Sequence, residues 1–269
     1  MIRKIGYSIR KYGIKSSIFN FLSILTADYV VVSFQKCGKT WLRLMLAQAI
    51  SLKYKIRKIH LDLQLMTWFR PIPNILISHA GSTKDNNKLD FIKLFQKKKI
   101  IFLVRDPRDI VVSLFHGSRT RDKVYSGNNV SEFIRDKNSG FPKIINFLNT
   151  WADHLGKRKK GSYIIVQYED MKKDAAKQLG RIFEFMNIDM PTAIIQDVVG
   201  YGSFQNMRKL EMSGKIKDYR MLPGDKKDPT SFRTRKGKIG GYKDELSKKD
   251  IAYLNSYMKK LDARYGYKI

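Results

Sequence analysis

The sequence has little cysteine, little histidine and few acidic residues. The 269 residues include one Cys, four His and 24 Asp or Glu. One cysteine excludes an internal disulfide framework and a Cys-rich metal site, and the His residues show no ligand spacing, so we expect no bound metal. The single thiol also fits a reducing compartment, and we expect a cytoplasmic protein.

Positive charge is abundant. The 53 Lys and Arg residues give a formal net charge of +29, which predicts an anionic partner: a phosphorylated ligand, an acidic glycan, an anionic membrane or nucleic acid. No basic run alternates with aromatic residues, so we rank nucleic acid last and expect none. No pattern indicates an oligomeric state.

The N-terminus is basic and then apolar. Residues 1–15 carry several Lys and Arg, and residues 16–35 contain only Asp28 as a charge, a pattern that resembles a signal anchor. Asn20, Ser23 and Thr26 interrupt the apolar run. We therefore expect residues 1–27 to form a basic helical segment with peripheral membrane contact, and leave a single span open as the alternative. Residues 28–269 are expected to form one domain.

Short β-branched runs alternate with helical patterns after residue 28. The pattern predicts strands at 29–34, 74–78, 99–104 and 162–167, helices at 40–53 and 107–115, and a last helix capped by Ser247. Residues 215–243 show no periodicity and predict a long loop. The expected fold is α/β: a mostly parallel sheet flanked by helices, of the P-loop nucleotide-kinase type.

The first strand and helix enclose a candidate anion site. The loop Gln35–Thr40 would present backbone N–H groups at a helix N-terminus, with Gly38 allowing close approach and Lys36 and Lys39 adding charge. A nucleotide-triphosphate loop would need Gly at position 33, where Ser33 stands. A nucleoside or small-molecule kinase that uses Mg-ATP remains the alternative.

Two further segments predict a second anion site. Arg105 ends a strand, and Ser113 would lie about two helical turns later. The segment Arg235–Lys238 adds cations and a flexible glycine. With the first loop, they indicate a nucleotide that bears two separated phosphate groups.

These segments resemble the sulfotransferase family that uses 3′-phosphoadenosine 5′-phosphosulfate (PAPS). The family motifs are P-K-S-G-T-T-W, R-x-P-[KR]-D-x-x-x-S, Y-E-D-M, S-F-x-x-M and R-K-G-x-x-G-x-W-K. Their matches occur here in the same order, at Gln35–Trp41, Arg105–Ser113, Tyr168–Met171, Ser203–Met207 and Arg235–Lys243. The resemblance implies PAPS as donor and adenosine 3′,5′-bisphosphate (PAP) as product, with no metal.

The resemblance also implies a role for each matching residue. The first loop would bind the 5′-phosphosulfate, through Lys36, Cys37, Gly38, Lys39 and Thr40. The two basic segments would bind the 3′-phosphate, through Arg105, Ser113, Arg235, Lys236 and Gly237. The aromatic rings of Trp41, Tyr168 and Phe204 would pack around adenine. Cys37 replaces the usual Ser, and Lys39 replaces the usual Thr. Where the family often has K-x-H-x-P, Ile77 and Gly81 replace the Lys and Pro, and only His79 matches.

Sulfuryl transfer needs charge stabilisation on the leaving oxygen and a proton acceptor for the attacking group. We predict that Lys36 supplies the first. We predict that His79, at the end of a strand, supplies the second, with His116 as the alternative. The expected acceptor is a hydroxyl or amine of a glycan, a glycolipid or another small alcohol, under a lid formed by residues 205–232.

Overall fold

The centre of the fold is a parallel sheet. The structure, a computed structural model, describes residues 22–68, 70–78 and 92–269. Its strands are β1 (Tyr29–Ser33), β2 (Ile75–Ser78), β3 (Lys99–Val104) and β4 (Tyr163–Gln167), in the order β2-β1-β3-β4. All neighbouring strands are parallel. The predicted α/β class is confirmed, and each predicted strand lies within one residue of an observed one.

The two inner strands are buried because they are apolar on both faces. Every residue of β1 is buried, and only the first residue of β3 is partly exposed. Val31 of β1 lies opposite Ile77 of β2 on one side and Ile101 of β3 on the other. A strand covered on both faces reads as a continuous run of Val, Ile and Leu, as this sequence does.

The helices cover the sheet and lead the chain back to its starting edge. We number those with both ends in the described residues. They are α1 (Lys39–Lys53), α2 (Gln64–Thr67), α3 (Pro107–His116), α4 (Val130–Arg135), α5 (Phe141–Gly156), α6 (Tyr168–Lys173), α7 (Ala175–Phe185), α8 (Thr192–Tyr201), α9 (Phe204–Ser213) and α10 (Lys248–Met258). Helix α1 packs against α8, and α3 packs against α4 and α5.

Sequence signals explain where α3 and α10 begin. Asp106 caps α3 by accepting a hydrogen bond from the backbone N–H of Arg108, and Pro107 occupies the first turn. Ser247 caps α10 through the N–H of Asp250, as its capping-box pattern predicts.

An aromatic cluster fastens the C-terminal segment to the sheet. The ring of Phe102, in β3, lies 5.6 Å from that of Trp151 and 5.7 Å from that of Tyr265. The Tyr265 hydroxyl donates to the Leu148 carbonyl at 2.7 Å, so its polar end is also satisfied. The end of the chain is therefore part of the core.

Residues 205–232, the predicted lid, begin with a helix that lies ahead of the predicted loop 215–243. Most of their first third belongs to α9, while Tyr219–Met221 and Pro229–Ser231 form short 3₁₀ turns. Helix α9 forms because Ser203 caps it and because Met207 and Leu210, three residues apart, are both buried. That residues 205–232 form a lid stays a prediction, for a segment whose beginning is a packed helix.

The N-terminal segment, residues 1–27, lies almost entirely outside the described residues. Within its described part, residues 22–27, the helix covers residues 22–26. Among the described residues, no helix has both the length and the hydrophobicity to cross a bilayer.

Candidate active site

The predicted site residues gather at the carboxyl edge of the sheet. Because the strands are parallel, the segments that follow them emerge at this edge: the loop 34–38 after β1, Arg105 after β3 and Tyr168 after β4. Ligands of open α/β sheets bind there, where the chain order reverses between neighbouring strands. Strand β2 also ends at this edge, but the predicted base that follows it, His79, lies outside the described residues.

The loop after β1 leaves the N-terminus of α1 open. Gly38 has a left-handed backbone with φ +86°, makes no side-chain cap, and is followed by no acidic residue in the first helical turn. The first N–H groups of a helix have no intrahelical acceptor and carry partial positive charge. The start of α1 is therefore suited to an anion.

Lys36, in the loop after β1, has a strained backbone and a buried side chain. Its backbone is left-handed, with φ +66°, and its Nζ lies 3.7 Å from Asp122 Oδ2. Burial and then the Arg121 charge lower the pKa of Lys36 to about 7, although Asp122 partly opposes them. An anion beside Lys36 would favour its charged form.

The two substitutions in this loop are both buried. Lys39 Nζ donates to the Ser78 carbonyl at 2.8 Å, so this side chain joins α1 to the end of β2. Burial, and then the charge of Arg43, hold the pKa of Lys39 well below its ordinary value. Burial raises the pKa of the Cys37 thiol to about 12, which leaves Cys37 a neutral side chain. Thr40, next in the chain, is partly exposed.

Arg105 connects the first loop with the second basic segment. Its guanidinium donates to the carbonyls of Lys36 and Lys238, each at 3.2 Å. Its Cζ also lies 4.4 Å from the centre of the Tyr168 ring, a cation–π contact. The buried Nε atom has no hydrogen-bond partner. Arg105 thus positions both predicted phosphate-binding segments and retains an unused donor.

Aromatic side chains stand between the two basic groups. Trp41 and Tyr168 meet edge to face at 5.8 Å, and the Trp41 indole donates to the Gly202 carbonyl at 2.7 Å. Phe204 is 37% exposed. The ring of Phe204 packs so close to Gly237 that a Cβ there would lie 2.9 Å from it. Gly237 therefore cannot carry a side chain without moving Phe204.

Glu245 gathers the second basic group, and sequence reasoning missed it. It accepts from Arg235 at 2.8 Å, from Lys236 at 2.7 Å and from His116 Nε2. Burial alone would raise the pKa of Glu245, but hydrogen bonds from His116, Lys236 and Arg235 outweigh it and hold the pKa well below its usual range. Ser113 is three residues from His116 and so shares its face of α3. The only signal in the sequence was the nearness of Glu245 to the Arg235 motif.

Asp109 is a second residue that the sequence analysis did not assign. Its carboxylate accepts from the backbone N–H groups of Gly240 at 2.8 Å and Tyr242 at 3.1 Å, and lies 3.6 Å from Arg105. It therefore holds the segment after Gly237 against α3. The sequence did contain a signal for Asp109, because it stands at the Asp position of the family motif that Arg105–Ser113 matches.

Arg108, from the same motif, has a structural role. Its guanidinium donates to Asn255 Oδ1 at 3.0 Å and to the Lys268 carbonyl at 2.9 Å. It also stacks on Tyr242, with Cζ 4.9 Å from the ring centre. It joins α3 to α10 and the C-terminus and is not one of the cations grouped around Arg105.

Comparison with known proteins identifies the family. A model of the sulfotransferase domain matches residues 26–266, nearly the whole described chain. The chain belongs to the sulfotransferase domain family. Within the described ranges, no group of three His, Cys, Asp or Glu side chains could hold a metal ion.

Individual relatives of this sulfotransferase are distant. The amine sulfotransferase of Oryctolagus cuniculus is 24% identical over 247 residues, which cover 82% of this chain and 75% of that protein. Mouse sulfotransferase SULT7A1, solved in complex with PAP, is 20% identical with a TM-score of 0.63 and covers 87% of this chain and 84% of its own. Retinol dehydratase, solved with retinol and PAP, is 20% identical with a TM-score of 0.65 and covers 87% and 80%. Both structures share the fold.

The Gly38→Ala variant should lose more stability than a left-handed backbone alone explains. A Cβ at Gly38 would lie 2.6 Å from Cδ2 of Tyr168, so the ring must move. Gly161, at φ +79°, has no atom within 4 Å of a Cβ and provides the control. We expect Gly161→Ala to cost about 1 kcal/mol of unfolding free energy, and Gly38→Ala about 1 to 3 kcal/mol more. Equal losses in urea unfolding would contradict the proposed contact.

Lys36 should titrate near pH 7 in the ligand-free protein, as its pKa of about 7 requires. Unfolding returns the pKa to 10.5, so the unfolded chain binds more protons between these values. This group therefore makes the unfolding free energy rise with pH over that window. The measurement is NMR of ¹³C-labelled lysine, with Lys36→Met for assignment. Asp122→Asn should lower the titration midpoint further, because it removes the opposing charge; an unchanged midpoint would contradict the contact.

Proposed function

We propose that this chain transfers the sulfuryl group of PAPS to a hydroxyl or amine of an acceptor. The observation that carries the proposal is the meeting of two separate anion-binding groups at one sheet edge: the open N-terminus of α1 with Lys36, and the cations around Arg105 and Arg235. The Lys36 carbonyl and Arg105 are in direct contact, so one nucleotide can span both groups.

The donor would lie along this edge with its two phosphate ends apart. The 5′-phosphosulfate occupies the loop of Lys36, Cys37, Gly38, Lys39 and Thr40, where Cys37 contributes only its backbone. The 3′-phosphate takes the place that Glu245 now holds between Arg235 and Lys236, with Ser113, Arg105 and Gly237 beside it. Adenine lies among Trp41, Tyr168 and Phe204. Mouse SULT7A1 and retinol dehydratase, both solved with PAP, support this ligand class.

The reaction is an in-line displacement at sulfur. The acceptor oxygen or nitrogen forms a bond to sulfur while the bond from sulfur to the 5′-phosphate oxygen breaks, and PAP leaves. Lys36 stabilises the negative charge that develops on that phosphate oxygen. His79 accepts the proton of the attacking group. The contact between His116 Nε2 and Glu245 favours His79 over His116, because it commits one ring nitrogen of His116 to the Glu245 carboxylate.

Lys39 supports the position of the base in this proposal. Its ammonium group holds the carbonyl of Ser78, the residue before His79. The resemblance assigned Lys39 to the phosphosulfate. Its observed contact favours a further role in fixing the end of β2, where the proton acceptor must lie within reach of the acceptor and the donor sulfur.

The acceptor group in this proposal is a hydroxyl or an amine. The amine sulfotransferase relative and the retinol complex name an amine and an alcohol for those proteins. For this chain we keep a glycan, a glycolipid or another small alcohol, with a cytoplasmic location and peripheral membrane contact through residues 1–27 as predictions.

Ligand-dependent melting separates the proposed enzyme from a kinase. We expect PAP to raise the melting temperature by several degrees at about 100 times its Kd, equivalent to roughly 2.7 kcal/mol. Mg-ATP should have a much smaller effect, because residue 33 is Ser rather than Gly. The measurement is a thermal shift series with each ligand, followed by turnover of labelled PAPS with sugars, lipids and phenols. Stabilisation by Mg-ATP alone would contradict the proposal.

His79→Gln should abolish sulfuryl transfer and leave PAP affinity within a few-fold, because glutamine cannot accept the proton. His154→Gln is the matched control. His154 lies beside Arg158, which donates to the carbonyls of Phe95 and Lys98 ahead of β3, at the opposite edge of the sheet. Turnover is measured with labelled PAPS and affinity by calorimetry.

His116→Gln distinguishes the two candidate bases. It should retain turnover and bind PAP at least as tightly as the wild type, since losing the His116 contact loosens the carboxylate that competes with the 3′-phosphate for Arg235 and Lys236. Full activity of His79→Gln, or loss of turnover in His116→Gln with PAP affinity unchanged, would move the base to His116.

A further inference from the structure

Arg43 is buried beside the donor loop, and among the described residues no carboxylate contacts it directly. It follows Lys39 by one turn on the same face of α1, is 7% exposed, and its Nε has no hydrogen-bond partner. Within the described ranges, no carboxylate forms an ion pair with it. Arg158 also has an unpartnered Nε, but its terminal nitrogens donate to the carbonyls of Phe95 and Lys98. The burial of Arg158 is therefore explained by its structural contacts, whereas no such contacts explain the burial of Arg43.

Arg233 has a similar environment on the other side of the loop. Its Nε is buried without a partner, and a terminal nitrogen donates only to the Tyr219 carbonyl, at 3.1 Å. Burial and then the Arg121 charge lower the pKa of Arg233, as burial and then Arg220 lower that of Arg43 to about 10. In both places, the surrounding charges fail to compensate for burial of a guanidinium.

The carboxylates near these two arginines do not pair with them. Asp62 acts electrostatically on Arg43, but within the described ranges it forms no ion pair with it, and the others already have partners. Asp122 pairs with Arg121 at 3.0 Å and faces Lys36, while Asp218 pairs with Arg220 at 2.7 Å. Glu211 accepts from the backbone N–H groups of Arg233, at 2.6 Å, and of Thr234. A buried cation without a counter-charge is costly unless a ligand supplies one.

The two arginines adjoin the reacting end of the proposed donor. Arg43 acts electrostatically on Lys39, and Arg233 acts on Lys36, the residue assigned to the leaving phosphate. Tyr219 connects the two arginines, since its carbonyl accepts from Arg233 and its phenol interacts electrostatically with both. An anion bound by these arginines would therefore lie close to Lys36 and Lys39, in the loop that is proposed to hold the phosphosulfate.

We propose that the acceptor carries an anionic group, such as a carboxylate, close to the hydroxyl or amine that receives the sulfuryl group, and that Arg43 and Arg233 bind this anion. The inference rests on the proposed sulfotransferase function and makes its acceptor specific. It distinguishes this chain from retinol dehydratase, which was solved with the uncharged alcohols retinol and androsterone. Arginine suits the task because its planar fork binds carboxylates bidentately.

Matched acceptors test the proposal. The pairs are methyl β-glucuronide with its uronamide, and 4-hydroxyphenylacetate with 4-hydroxyphenylacetamide, so that in each pair a carboxylate is replaced by a neutral amide and the hydroxyl groups are unchanged. Binding to the complex of the full chain with PAP is measured by calorimetry, and turnover with labelled PAPS. We expect the charged member of at least one pair to bind roughly tenfold more tightly or to react with a roughly tenfold higher kcat/KM, the gain typical of a charge-assisted hydrogen bond.

Variants assign that preference to the arginines. Arg233→Gln should reduce the ratio to within about twofold, and Arg233→Lys should restore part of it. Arg43→Gln should act in the same direction. Lys227→Gln removes an exposed charge from the same segment and should leave the ratio unchanged. PAP affinity close to that of the wild type verifies that each variant is folded.

The outcomes separate this inference from the function on which it rests. Equal or stronger use of the neutral members, no binding of either charged probe, or an unchanged ratio in Arg233→Gln would overturn the anionic acceptor while PAP binding persists. Failure of the wild-type chain to bind PAP would instead overturn the proposed sulfotransferase.

Discussion

The contacts of Arg105 hold the site together. One guanidinium joins the loop after β1 through the Lys36 carbonyl, the segment after Gly237 through the Lys238 carbonyl and the start of α6 through the Tyr168 ring. Asp109, one turn along α3, lies 3.6 Å from the same group. A lysine at this position could not make these contacts together, because its ammonium is a single point while the guanidinium is a planar fork. The relative positions of the two groups that we propose as phosphate-binding therefore depend on this side chain.

The few carboxylates of the site each serve several cations. Glu245 holds Arg235, Lys236 and His116, while Asp122 faces both Lys36 and Arg121. Such sharing keeps like charges close together before a ligand is present. A polyanionic nucleotide would compete with Glu245 for Arg235 and Lys236. Part of the net charge of +29 is thus concentrated at this edge of the sheet, where the buried cations outnumber the acidic side chains that contact them.

Much of the fold could be predicted from the sequence because local patterns and the final packing agree. The runs at Tyr29–Ser33 and Lys99–Val104 are apolar on both faces and became inner strands. Helix α9 was missed because Phe204–Ser213 begins inside a motif and is followed by residues without periodicity. Its stability comes from the burial of Met207 and Leu210 in a small cluster with Leu44, Leu61 and Met221, which are distant in sequence. Packing across such distances leaves no local signal.

The amino-acid sequence by itself determined the α/β class, the strand boundaries and the motifs that mark the two anion-binding segments, because these depend on short-range patterns and on residue spacing. Only the tertiary structure decided which charges meet. Glu245 lies between Arg235 and His116, Lys39 contacts Ser78, and Arg108 joins α3 to the C-terminus. Among the described residues, the guanidinium groups of Arg43 and Arg233 form no ion pair, and the Nε of each is buried without a partner. Except for the pairing of Glu245 with Arg235, these contacts join residues far apart in the chain, and the energy of a charge depends on its burial and its neighbours rather than on its place in the sequence.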